Sequence, residues 1–81
     1  MINDAEKRNL KAGFKEVMNL ISEKRAAKVV LASDCDDKIK TPVLEAANAA
    51  GITVEYAETM RELGKACGID VGASCAAMLK F

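Results

Sequence analysis

Hydrophobic residues in this chain follow two kinds of pattern, one spaced like a helix face and one grouped or alternating like strands. Phe14, Val17, Met18 and Ile21 recur at i, i+3, i+4 and i+7, a single stripe that predicts a helix over 13–23. Gly13 precedes the stripe, and Lys15, Glu16, Asn19 and Ser22 lie off it. In the polar segment before it, Asp4 is placed to cap a first helix over 4–10. Lys28 to Ala32 reads Lys-Val-Val-Leu-Ala, a β-branched apolar run without alternation, as a buried strand has. It stops in Ser33-Asp34-Cys35-Asp36-Asp37, which reads as an acidic loop. Thr41 then offers a hydroxyl N-cap and Pro42 a first helical position, so a helix is expected from there through Val43, Leu44, Ala46, Ala47 and Ala50, closed by Gly51. Ile52 to Tyr56 alternates apolar and polar residues, which predicts a strand with one covered face. Thr59 and Glu62 form a capping box for a short helix that runs to Cys67 and stops at Gly68. Ser74 to Leu79 is small and apolar, a final buried strand whose alanines let a helix approach closely. A short strand at Leu10 to Ala12 would bring the strands to four. Alternating helices and strands predict an α/β domain with helices on the faces of its sheet.

Length and composition narrow the function. Eighty-one residues hold one domain, 1–81, with no room for a second core. The chain has no His, which excludes a Ser-His-Asp triad, a Cys-His pair and a His metal ligand. Cys35, Cys67 and Cys75 are spaced by 32 and 8 and form no Cys-x-x-Cys. An odd count in that spacing argues against a disulfide framework or a closed zinc site and predicts three ordinary small thiols. Apolar runs are only a few residues long, so no membrane span is expected. Asn3, Asp4, Glu6, Lys7 and Arg8 make the N-terminus polar, unlike a secretory signal, and a cytoplasmic location is expected.

Twelve basic residues balance twelve acidic ones, which gives no general reason to expect nucleic acid. The balance is uneven along the chain: seven basic and four acidic residues over 1–28, two and six over 29–58, three and two over 59–81. Asp34, Asp36 and Asp37 could face a divalent cation, but the Gly and distal Glu of a calcium loop are missing and Lys38 and Lys40 follow closely. Gly64, Gly68 and Gly72 form neither a dinucleotide fingerprint nor a phosphate loop. No paired general acid and base is visible, so neither an enzyme, a metal nor a cofactor is expected. The segment Gly64 to Gly72 leaves two readings open. Ile69 and Val71, flanking Asp70, either tuck into the core edge or form an apolar loop tip that receives something flat, such as an unstacked base.

The run Leu63-Gly64-Lys65-Ala66-Cys67-Gly68-Ile69-Asp70-Val71 resembles the signature of the ribosomal L-seven-Ae / L-thirty-e family of kink-turn RNA-binding proteins, and the short length resembles its compact stand-alone bacterial members. Gly13, Lys15, Glu16 and Asn19 fall where the family has its recognition helix. The resemblance implies a three-layer α/β/α sandwich around a mixed four-stranded sheet. It implies binding to kink-turns, sharply bent RNA helices with sheared G·A pairs and bulged nucleotides, with ribosomal RNA and ribosome association among the expectations. Such recognition is largely of shape. By the same resemblance Gly13 lets backbone approach the RNA, Glu16 accepts from guanine edges, Asp36 contacts a flipped base, Lys65 contacts phosphate, and Ile69, Asp70 and Val71 pack on bulged nucleotides. Lys15 stands where archaeal and eukaryotic members carry Asn, Asn19 where they carry Lys, and Met60 where many carry Lys. These departures keep a second function open, a protein–protein adaptor of the same fold. DNA and membranes are not expected as partners, and a monomer is.

Overall fold

The computed structural model describes residues 10–69 and 71–79. Its elements are β1 Leu10–Ala12, α1 Phe14–Ser22, β2 Ala26–Ala32, α2 Asp37–Ala50, β3 Thr53–Ala57, α3 Met60–Ala66 and β4 Cys75–Leu79. The helix expected over 4–10 falls outside the described residues, except for Leu10, which belongs to β1.

The strands form one mixed sheet in the order β1-β4-β2-β3. β4 pairs antiparallel with both β1 and β2, and β3 runs parallel to β2. The hydrophobic pattern tracks position in this order. The two inner strands carry unbroken apolar runs, with Val29, Val30 and Leu31 buried in β2 and Cys75, Ala76 and Ala77 buried in β4, because both of their faces are covered. On edge strand β3 no residue is fully buried, and only Val54 and Ala57 are half-buried.

Val29 and Leu31 point to one face of the sheet and Val30 to the other. Helix α3 lies over the Val30 face through Leu63 and Ala66. Helices α1 and α2 pack against each other on the opposite face, which makes three layers. Helix α1 buries Val17, Leu20 and Ile21, while Phe14 and Met18 lie half-buried at the edge of its stripe. The alanines of β4 leave room for helices on both faces.

One expectation is corrected. Helix α2 begins at Asp37 rather than after Thr41, and Pro42 lies inside it. Asp36 is the N-cap, its side chain accepting from the Lys38 N–H at 3.0 Å, and carboxylate caps rank with hydroxyl caps. Pro42 is tolerated because the N–H it lacks would have bonded the carbonyl of Lys38, an exposed residue whose carbonyl water can serve. The acidic loop therefore shrinks to Ser33–Asp36, while Gly51 closes α2 as expected. No helix among the described residues is long and apolar enough to cross a membrane.

Candidate nucleic-acid interface

Strand directions decide where the loops gather. Since β1, β2 and β3 all run opposite to β4, their C-terminal ends meet the start of β4 at one end of the sheet. Each of the three leads through a short connection into a helix, so the N-termini of α1, α2 and α3 share that end. Hydrogen bonds join the connections to one another. The Gly13 N–H donates to the Cys75 carbonyl at 3.1 Å, Ala32 to Ser74 at 2.9 Å, Ser33 to Ala57 at 2.8 Å and Ala73 to Met60 at 2.9 Å. Asp34 completes the set by accepting from the Met60 N–H at 2.8 Å.

The three helix starts differ in how their backbone donors are used. Asp36 caps α2. Thr59 caps α3 by accepting from the Glu62 N–H at 3.1 Å, with Asp34 on the Met60 N–H. No side chain caps α1. Its first-turn N–H groups face outward behind Gly13, whose φ of 112° and ψ of 147° are close to a region that only glycine occupies comfortably. No atom lies within 4 Å of the place a Gly13 Cβ would take, so backbone is open at this corner. An uncapped helix N-terminus favours anions through its free donors and its dipole.

Lys15, Glu16 and Asn19 are exposed on the outer side of α1, with Asn19 one turn further along. Asp36 lies at the same end of the sheet, with one carboxylate oxygen committed to its own helix. Lys65 is in the last turn of α3, roughly 7–8 Å along the axis from the helix start by the usual rise per residue. It therefore stands apart from the gathered connections, on the other face of the sheet from α1.

The two readings of Ile69 and Val71 are resolved by their exposure, 39% and 70%: both stand out from the core. The segment is held from behind. The Ile69 N–H donates to the Gly64 carbonyl at 3.0 Å, and the Val71 carbonyl lies where a Gly64 Cβ would be. Asp70 lies outside the described residues.

Sequence reasoning missed two residues here. Asp34 was counted with the acidic loop, yet it ties that loop to a helix 26 residues on, a contact with no local signal. Arg61 is exposed and four residues before Lys65, so the two share a stripe on α3; that spacing was the available signal. The ion pairs among the described residues are Arg25–Glu23 and Lys28–Glu55, which leaves Lys15, Arg61 and Lys65 without acidic partners there.

The cysteines are free thiols. Burial pushes all three above the ordinary thiol pKa. At Cys35 the Lys40 ammonium opposes that rise and the nearby aspartates add to it. At Cys75 the hydrogen bond from Ser74 opposes it. Among the described residues no three His, Cys, Asp or Glu side chains converge as a metal site.

The fold and its gathered helix starts define a class, the three-layer α/β/α domain with a mixed four-stranded sheet. Residues 3–81 match the Ribosomal protein L7Ae/L30e/S12e/Gadd45 family, and the chain belongs to that family. A protein of Geobacillus thermodenitrificans named "RNA-binding protein" is 40% identical over 68 residues, covering 84% of this chain and 83% of the relative. One from Caldanaerobacter subterraneus, "RNA-binding protein TTE2299", is 38% identical over 65 residues, or 80% of this chain and 79% of the relative. Among solved structures, the Giardia lamblia 15.5kD RNA binding protein superposes with a TM-score of 0.84 at 24% identity, over 91% of this chain and 62% of that one. At that identity the likeness speaks for the fold.

Proposed function

We propose that this chain is an RNA-binding protein that recognises kink-turns through the uncapped start of α1 and the exposed loop after α3. The observation that carries the reading is the contrast between helix starts: α2 and α3 are capped by side chains, and α1 is left open beside a bare glycine. Phosphate or sugar oxygens can approach that corner. Lys15 neutralises phosphate from the outer face, and Glu16 accepts hydrogen bonds from guanine edges. Ile69 and Val71 present an apolar surface to unstacked bases, with Asp70 between them, and Arg61 and Lys65 lie on the helix that carries the loop. Asp36 contributes its free oxygen to an extruded base. Asn19, one turn into α1, supplies a neutral donor where a cation would bind phosphate more tightly.

The relatives named as RNA-binding proteins support the ligand class, and the neutral net charge supports selection by shape. Phosphate neutralisation dominates nonspecific affinity, and this chain has little to spend on it. A prebent RNA that fits the open corner needs fewer cations. The protein acts as a monomer on structured RNA in the cytoplasm, ribosomal RNA included, without catalysis.

A gel shift with a kink-turn RNA tests this, set against a control whose sheared G·A pairs are replaced by Watson–Crick pairs. Binding of the first alone is the expected result. Equal binding of both defeats the specific reading, and binding of neither favours the adaptor.

A further inference from the structure

The connection from β2 to α2 carries Asp34 and Asp36, and Asp37 opens the helix beyond it. Two of these carboxylates are committed to backbone. Asp34 accepts from the Met60 N–H at 2.8 Å and Asp36 from the Lys38 N–H at 3.0 Å. All three are exposed, at the end of the sheet that meets RNA in the proposed mode, where a carboxylate repels phosphate. Lys40 lies half-buried among them and has no part in the binding mode described so far.

Lys40 grips the connection at both ends. Its backbone N–H donates to the Asp36 carbonyl at 3.0 Å, and its ammonium reaches back seven residues to donate to the Ser33 carbonyl at 3.0 Å. The grip is passed on. The Ser33 N–H is tied to Ala57 at the end of β3, Asp34 to Met60 at the start of α3, and the Met60 carbonyl to the Ala73 N–H, two residues after the exposed Val71. A chain of hydrogen bonds thus runs from Lys40 to the apolar loop. Among the described residues no carboxylate is within ion-pair distance of the ammonium, so its charge is not spent on a single partner. Burial raises the Cys35 pKa, and beyond that Lys40 lowers it while Asp34, Asp37 and Asp36 raise it; one thiol is within reach of all four charges.

We infer that Lys40 is a positioning residue for RNA: its ammonium fixes the Ser33–Asp36 connection and, through Met60, the Ile69–Val71 loop, and it offsets the aspartates where phosphate comes near. This role rests on the RNA reading above. Lys38 supplies the control. It carries the same charge two residues earlier and is exposed, but among the described residues its ammonium holds no carbonyl as Lys40 holds that of Ser33. The pair therefore separates net charge from placed charge.

The test uses the full chain, a kink-turn RNA and the variants K40M, K40R and K38M. Methionine keeps an unbranched apolar stem without donors or charge, and arginine keeps donors and charge. K40M is expected to bind the RNA about ten-fold more weakly than the wild type at about 0.05 M salt and about three-fold more weakly at about 0.5 M, because screening removes the charge effect and leaves the positional one. K40R should stay within about two-fold of the wild type, since it still offers a charged donor. K38M should also stay within about two-fold, because an exposed charge is screened by solvent. In the free protein, amide exchange at Ser33 and Met60 should quicken several-fold in K40M, while the Glu62 N–H, held by Thr59, keeps its rate. Failure of the wild type to bind the RNA would overturn the RNA reading and this role together. With wild-type binding intact, a K40M loss no greater than that of K38M, a loss equal at both salts, no rescue by arginine, or unchanged exchange at Ser33 and Met60 would each overturn the role of Lys40 alone.

Discussion

Gly64 and Leu63 are neighbours with opposite tasks. Leu63 is 1% exposed and fills the core under α3; L63A should cost about 2–5 kcal/mol in urea unfolding, the usual range for buried Leu. Gly64 makes way for the Val71 carbonyl. G64A should displace the Ile69–Val71 segment, with a stability loss of roughly 1–3 kcal/mol and a matching loss of RNA affinity. Val71, 70% exposed, isolates the second effect: V71A should change stability by no more than about 0.5 kcal/mol yet weaken kink-turn binding by about 1 kcal/mol if a base packs on its methyl groups. E16A should weaken binding by a similar amount, about 1–3 kcal/mol, as loss of a base contact does. Cys75 supplies a pH dependence. Burial raises its folded-state pKa, so the unfolded chain loses its thiol proton first as pH rises. Its contribution is fully present below about pH 8.5, the ordinary thiol value, and is lost as pH climbs through the raised one. Thermal midpoints measured with reductant from pH 7 to 10.5 should fall at the alkaline end, and less steeply in C75A.

At the scale of elements, side-chain caps decide which helix ends are closed. D34A should loosen the start of α3 and cost about 1 kcal/mol, typical for a lost cap, although Asp34 belongs to a different connection. D36A should cost about the same at α2, whereas D36N, which keeps a capping oxygen, should retain stability; a drop in RNA affinity in D36N alone would then report the charge. These caps also mark how far the sequence could be read. The stripe of α1, the Thr59 half of the capping box and the runs of β2 and β4 were legible because each is a local pattern, although the Glu62 side chain does not return the bond. The start of α2 was not, because Pro42 is a strong first-turn signal and Asp36 an equally good cap six residues earlier, and nothing local chooses between them. Asp34 was illegible for another reason: its partner is brought to it by the sheet. At the candidate site, the glycine and the polar face of α1 could be read, but the fact that α1 alone lacks a capping side chain could not.

Over the whole molecule, a balanced charge coexists with one end of the sheet where three helices start, α2 and α3 behind carboxylates and α1 open. In the proposed binding mode only the open start of α1 among the three receives phosphate, which needs no basic protein. RNA affinity should therefore depend weakly on salt: if Lys15, Arg61 and Lys65 make the phosphate contacts, log K against log salt should have a slope of about −2 to −3, since each neutralised phosphate contributes somewhat less than one. A slope near −6 would mean that more cations take part. The sheet order carries a further consequence, for synthesis. β4 is the last of the described strands, yet it lies between β1 and β2, and the corner at Gly13 is pinned to Cys75 while β2 is pinned to Ser74. A nascent chain that has not yet produced Cys75–Leu79 has no middle to its sheet and no assembled corner. The α1 corner should therefore assemble only once β4 has been made, and a copy truncated before Cys75 should show no cooperative unfolding in urea.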